Sequence, residues 1–383
     1  MRPTRGEILH ERAREPVIRL RLLADDLTGA LDTAAQFVSR TGPVPVFWTR
    51  PGGGEMPPSA AFDSFTRDGG PAEAVSAVSG LADVLEWAPG VIAFKKVDSL
   101  LRGHSGLELA TCLGRLAVRH CIVAPASPLQ GRVTSGGLQY ARTAEGWLRV
   151  GEDLGATLEA QGWPAVLARP GDPVPEGLSL WDAETDEDLR QIAAAGLSLG
   201  EPVLWCGSSG LAGRLAGSPP RASGGLARPV LGLFGSDHPA TTAQLRDADP
   251  HRLRLRDGGD DSAAALTRRL GQTGVALAQF DLPPGLSREE AAGWIARETA
   301  ALLHRIAAPR TLLVAGGATL RALCVALGAW HLDVLGQIMP GVPRAVLRGG
   351  SWDGIEIVSQ SGAFGEAGLL RRLVSLQPEE LRA

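Results

Sequence analysis

The sequence predicts an α/β fold of two domains, each a mostly parallel sheet covered by helices. Three observations carry that expectation. The chain has 383 residues, more than one ordinary core accommodates. Short apolar runs end in Gly/Ser-rich turns and pass into helical spacing, repeatedly, along both halves. The stretch GSPPRASGGLARP, Gly217 to Pro229, breaks that pattern and marks a connection near residue 222. The expected organisation is a tail over 1–16, one α/β domain over 17–222 and a second over 223–383.

The tail, MRPTRGEILHERAREP, carries three glutamates among its arginines and no apolar signal core. The first strand is read in Val17–Leu23. The following helix is read from the recurrence of Ala30, Leu31, Ala34, Ala35 and Phe37. Asp25 and Asp26 stand between them, at the carboxyl end of a strand, where open α/β sheets hold ligands. One Asp in that place serves equally as an ordinary helix cap.

The next strand, Val91–Phe94, runs into KKVDSLLRG. Lys95, Lys96, Asp98, Ser99 and Arg102 fall within eight residues there. A helix is expected to start at Ser105, because Ser105 and Glu108 have capping-box spacing. Each charged residue alone reads as a solvated loop. Two lysines and an arginine together suit a small carboxylate or phosphate. Arg67 in SFTRDGG and Arg132 in SPLQGR, after the strand Cys121–Ala124, add two more cations. The pattern fits a hydroxylated small acid, with its carboxylate on the cations and its hydroxyls on Asp25 and Asp26. One of those two is the candidate base.

Pro202–Trp205 supplies a further strand before CGSSGLAGRLA. In the second half, PVLGLFGS, TLLVAGG and IEIVSQSG each run a strand into a glycine turn and a helix. Ser236, Gly316, Gly317, Thr319 and Gly362 sit in those turns, and Gly341 lies in MPGVPRAV. Backbone amides at such turns donate hydrogen bonds to phosphate oxygens. Neither GxxxxGK[ST] nor a GxGxxG after a strand occurs.

The bulk numbers exclude other classes. A net charge of −4 gives no general attraction to nucleic acid or an acidic membrane. The four cysteines form no C-x-x-C pair and read as buried thiols of a reducing cytoplasm. The seven histidines form no metal motif. No apolar run reaches membrane-spanning length.

These motifs resemble the four-carbon acid sugar kinases. The resemblance rests on ADDLTGA (Ala24 to Ala30), KKVDSLLRG (Lys95 to Gly103), APASPLQGR (Ala124 to Arg132), DAETDEDL, GSSGLA, GSDHPATTAQL, GGAT and SGAFG. It covers nearly the whole chain after the tail. It implies an N-terminal domain holding the sugar acid and a C-terminal domain holding ATP, with Mg²⁺ expected to arrive with the nucleotide and no metal ligand identified in the chain. It implies γ-phosphoryl transfer to the terminal hydroxyl of a threonate, erythronate or oxo-tetronate. The implied ATP contacts are Ser236, the GGAT turn of Gly316, Gly317, Ala318 and Thr319, and Gly362.

The chain departs from the family pattern in places. Ala318 stands where the family usually has an acid, Gln360 and Ala363 where it has Lys and Asn, and Leu100 where it has Thr. Two other readings therefore stay open. One is a non-catalytic sugar-acid-binding paralogue with a degraded ATP site. The other is a nicotinamide-dependent hydroxy-acid oxidoreductase, against which the missing fingerprint speaks. A homo-oligomer is compatible with each.

Overall fold

A computed structural model describes residues 18–52, 55–217, 224–235 and 238–376. The expected tail, the centre of the expected linker and Ser236 lie outside the described residues.

The first half supplies strands β1 (Arg19–Ala24), β2 (Val44–Phe47), β3 (Ala60–Asp63), β4 (Val91–Lys96) and β5 (His120–Ala124). A separate three-stranded sheet follows, β6 (Arg132–Ser135), β7 (Leu138–Thr143) and β8 (Gly146–Arg149). Then come β9 (Val166–Ala168), β10 (Gly177–Trp181) and β11 (Val203–Gly207). Its helices are α1 (Leu27–Thr41), α2 (Pro71–Leu81), α3 (Ser105–Leu113), α4 (Leu154–Ala160), α5 (Asp186–Ser198) and α6 (Ser209–Ala216). The second half supplies β12 (Val230–Phe234), β13 (Arg252–Leu255), β14 (Val275–Phe280), β15 (Thr311–Ala315), β16 (His331–Met339), β17 (Val342–Arg348) and β18 (Glu356–Gln360). Its helices are α7 (Pro239–Asp247), α8 (Asp260–Thr273), α9 (Arg288–Leu303), α10 (Gly317–Ala326) and α11 (Leu369–Ser375).

Strands buried on both faces read as unbroken apolar runs, which is why β1, β5, β12 and β15 were legible as strands. Each is covered by helices, and the fold is α/β with a mostly parallel sheet. The two expected sheets are continuous. The order is β13-β14-β12-β15-β18-β17-β16-β2-β3-β1-β4-β11-β5-β10-β9. The joint is the antiparallel pairing of β2 with β16, His331 opposite Phe47 and Val334 opposite Val44. One apolar core follows it, from Leu20 and Leu22 through Val46 to Leu332 and Leu347.

Three antiparallel steps separate β2 from β18, so the parallel strands of the two halves run in opposite senses. In a flat sheet their carboxyl ends would lie on opposite edges. Sheets twist by about 20–25° per strand, and six steps separate β1 from β15. The accumulated rotation, roughly 120–150°, swings the carboxyl ends of the two halves towards each other. The contact of Gly317 with Asp26 shows that they meet: a Cβ on Gly317 would lie 2.8 Å from Asp26 Oδ2.

All four cysteines are free and buried. Burial pushes Cys112, Cys206 and Cys324 up to about 12, so they stay protonated and inert. Among the described residues no helix is long and apolar enough to cross a membrane.

Candidate active site

The site begins where β1 ends. Asp26 has extended backbone and caps α1, accepting the Gly29 amide at 2.9 Å on Oδ1 and the Thr28 hydroxyl at 2.6 Å on Oδ2. Asp25 turns the other way and is buried at 3% exposure. Arg67, in the loop after β3, answers both. Its Nε and Nη2 donate to the two oxygens of Asp25 at 2.7 and 2.8 Å, and its Nη1 lies 2.7 Å from Asp26 Oδ2. The same guanidinium reaches Asp98 at 3.8 Å. Burial opposes charge on Arg67 and on Asp25. The pairing overrides it, holding the guanidinium firmly protonated and Asp25 below the usual carboxylate range.

The end of β4 splits its two lysines between core and cleft. Lys95 is fully buried and donates to Glu108 Oε2 at 2.7 Å. That pairing corrects the expected capping box. The helix does start at Ser105, but Glu108 turns inward, also accepting the Thr66 hydroxyl at 2.7 Å. A buried ammonium needs a counter-charge more than a helix end needs a cap. Lys96 lines the cleft, with its ammonium on the Val97 carbonyl at 2.7 Å. Asp98 is clamped by Arg102 through two bonds of 2.8 Å, which with Arg67 hold its carboxyl well down despite burial. This loop holds Leu101 at φ +52, a left-handed conformation a leucine adopts only under local constraint.

Arg132 opens β6 and donates to the Gln130 carbonyl at 2.8 Å. It follows Gly131, whose φ of +70 turns the chain into the strand. The β6–β7 turn is anchored by Asp182, which accepts the amides of Gly136 and Gly137 at 2.9 Å. Of the cleft cations, Arg67 and Arg102 are committed to carboxylates of the chain. Lys96 and Arg132 have no carboxylate partner among the described residues.

An open cleft of about 680 Å³, solvent at its mouth included, runs along these groups. Its first-half wall holds Asp26, Arg67, Lys96, Asp98, Arg102 and Arg132. Ser99 also lines it, 3.5 Å from Gln130 Oε1. The second half contributes Gly341, Gln360, Ser361, Ala363 and Phe364. A wider space of about 1160 Å³ adjoins it and shares Asp32, Ser209, Arg132 and Gly341.

Of the residues singled out in the sequence, Asp26, Arg67, Lys96, Asp98, Ser99, Arg102, Arg132 and Gly341 line the cleft, whereas Gly316, Gly317, Ala318, Thr319 and Gly362 line neither space. Asp25 and Lys95 do not line the cleft; they form the charged layer beneath it. Gly316, Gly317 and Thr319 lie at the carboxyl end of β15. Gly316 caps α10 at φ +95, a glycine conformation, and its amide donates to the Gln360 carbonyl at 2.9 Å. Ala318 is exposed in the first turn of α10. Gly362 accepts the Thr241 hydroxyl at 2.9 Å. Gly341 is the β16–β17 turn at φ +79 and carries the Phe364 ring against it. Gln360 is 1% exposed, bonds Gln244 through Nε2 at 2.7 Å and leaves its Oε1 without a protein partner.

Four polar cleft residues went unnoticed in the sequence, Asp32, Gln130, Ser208 and Ser209, as did Pro343 and Phe364. The signal for Asp32 was present. It follows Gly29 by three and Thr28 by four, which places it on the same face of α1 as the cap. Ser208 caps α6 and donates to the Ala126 carbonyl at 2.5 Å.

The chain is similar to known proteins in both halves. Residues 20–161 match the sugar-binding N-terminal domain family, and residues 231–370 match the nucleotide-binding C-terminal domain family. A Cupriavidus necator protein named D-threonate kinase is 32% identical over 91% of this chain and 95% of its own. A Bordetella bronchiseptica protein of the same name is 30% identical over 92% and 95%. A Heliobacterium modesticaldum protein named D-erythronate kinase is 26% identical over 90% and 94%. The fold matches that of a solved Salmonella typhimurium LT2 protein at a TM-score of 0.72 and 20% identity, over 92% of this chain and 98% of the other.

Proposed function

Because this chain belongs to the four-carbon acid sugar kinase family, we propose that it transfers the γ-phosphoryl group of ATP to the terminal hydroxyl of D-threonate. It is a phosphotransferase acting on a four-carbon sugar acid. No relative favours the binding-only or the nicotinamide reading. ATP as donor, the hydroxyl and D-threonate are our own assignments, the last supported by the names of two relatives that are 30% identical or more over at least nine tenths of this chain.

The observation that carries the proposal is the contact of Gly317 with Asp26. It sets the glycine turn after β15 beside the polar pocket of the first half, which supports a site shared by the two halves. In this reading residues 17–222 hold the acid and residues 223–383 the nucleotide. The acid's carboxylate lies on Arg132 and Lys96, the cleft cations that the chain leaves without a carboxylate. Ser99 and Asp98 take hydroxyls, with Asp98 held by Arg67 and Arg102. The amides of Gly316, Gly317, Ala318 and Thr319 and those around Gly362 receive the phosphates, as helix N-termini and glycine turns do. Phosphoryl transfer asks for in-line positioning and charge neutralisation more than for covalent chemistry. Mg²⁺ would enter with ATP, held mainly by phosphate oxygens and water; among the described residues no group of three His, Cys, Asp or Glu side chains forms a separate metal site. Four reduced buried thiols support a cytoplasmic location.

Coupled-enzyme detection of ADP with Mg²⁺-ATP and D-threonate, D-erythronate or 3-oxo-tetronate tests the reading. D-Threonate is expected to give the highest kcat/KM. A higher value with another acid overturns the substrate, and no ADP with any of them overturns the activity.

A further inference from the structure

Three carboxylates line the cleft: Asp26, Asp32 and Asp98. Their surroundings differ. Both oxygens of Asp26 are claimed, one by the Gly29 amide and the other by Thr28 and Arg67. Both oxygens of Asp98 are claimed by Arg102. Asp25 is off the cleft and chelated by Arg67. The guanidinium donors on Asp25 and Asp98 stabilise the charged form and make both weak bases, while the oxygens of Asp26 are already engaged in the α1 cap and by Arg67. Asp32 has no ion-pair partner among the described residues; its neighbour is the hydroxyl of Ser209. It also stands where the two spaces of the cleft meet. An acid on Arg132 and Lys96 and a nucleotide on the second-half turns would present their reacting atoms to each other at that junction.

We propose that Asp32, rather than Asp25 or Asp26, is the general base that takes the proton of the attacking hydroxyl. The proposal rests on the kinase reading above. The hydroxyl oxygen forms a bond to the γ-phosphorus, and its proton passes to an Asp32 oxygen. The bond from the γ-phosphorus to the bridging oxygen breaks, and ADP leaves with that electron pair. Asp32 returns the proton to solvent.

The charge environment suits the role. Burial raises the proton affinity of Asp32 above that of an ordinary carboxyl, Asp26 adds to it, and Ser209 and Lys96 only partly offset it. Arg132 and the Arg214–Asp186 pair complete the charged groups around the junction. The second half faces it with Gly341, Gln360, Ser361, Ala363 and Phe364, of which none titrates. A base poised closer to neutrality is the more effective one.

The test compares wild type with Asp32→Asn. Wild-type turnover of a four-carbon acid checks the kinase reading by itself. Given that turnover, Asp32→Asn is expected to lower kcat by roughly 10²- to 10⁴-fold, with the KM of both substrates changed only a few-fold and with Tm retained. The acidic limb of the wild-type kcat profile is expected to vanish in the residual activity. A kcat within threefold of wild type, or an unchanged acidic limb, overturns the proposal. Ser209→Ala keeps the carboxylate and removes a hydrogen bond to its charged form. Its acidic limb is expected at higher pH, and a limb that stays in place also overturns the proposal, even if Asp32→Asn fails to fold.

Discussion

Arg67 is a single guanidinium that neutralises two carboxylates in direct contact and stands near a third. Its removal would leave Asp25 buried without a counter-charge. Arg67→Ala is therefore expected to lower unfolding stability by roughly 3–5 kcal/mol, read from urea denaturation; a loss within 1 kcal/mol would mean that water replaces it. Asp63 makes a different case. It bonds Arg321 at 2.9 Å, yet burial outweighs that partner and raises its pKa to about 6 from an ordinary 3.8. The folded chain then holds this proton more tightly than the unfolded one. The stability it contributes is full below pH 4 and is lost as the pH climbs through 6. Asp63→Asn carries no such loss. Its stability relative to wild type should rise by roughly 3 kcal/mol between pH 4 and 7, and a difference that stays flat would mean that Arg321 keeps Asp63 ionised. Gln360→Lys places a cation beside the β18 turn and should lower the KM for ATP by roughly tenfold; an unchanged KM would mean that this turn does not face phosphate. The sequence made Asp25 and Asp26 visible as a pair, but not their division of labour. Only the position of Arg67 separates a capping, cleft-facing Asp26 from a buried Asp25. Asp32 stayed hidden because a polar residue on an amphipathic helix reads as its solvated face.

The elements themselves were largely legible. Strands buried on both faces leave continuous apolar runs, and the glycine turns mark their carboxyl ends, so β1, β4, β5, β11, β12, β15 and β18 were each read close to their bounds. The misread feature is the cap of α3, not its start at Ser105: the sequence offered Ser105 and Glu108 as a local cap, and the helix has no side-chain cap. Capping spacing is a short-range signal. It cannot register that Lys95, thirteen positions back, is fully buried and takes the carboxylate. The junction of α1 and α10 is likewise set by distance in space. Gly317 fits against Asp26 because it has no side chain. Gly317→Ala should lower kcat/KM for the acid by roughly tenfold or more through displacement of Asp26, while the helix gains propensity and Tm holds. An unchanged kcat/KM would show that the two turns have room to part.

Across the whole molecule, nothing in the sequence signals that one sheet runs through both halves. The pairing of β2 with β16 joins residues almost three hundred positions apart, and a strand's own sequence carries no mark of so distant a partner. With a common core across that joint and the Arg321–Asp63 pair bridging α10 and β3, the halves should melt together. Calorimetry should give one transition, and two well-separated ones would mean that the joint adds little. The joint matters for function because the twist it continues turns the carboxyl ends of both halves into one cleft. Phosphoryl transfer to a bound sugar acid is the activity proposed for that cleft. The most direct measurement follows ADP and phosphate monoester together, by phosphorus NMR, in a mixture of the protein, Mg²⁺-ATP and D-threonate. Equal amounts of ADP and one new monoester, both dependent on the acid, are the expected result. No monoester with D-threonate, D-erythronate or 3-oxo-tetronate, from a protein whose Tm those acids still raise, would contradict it and leave a binding protein in its place.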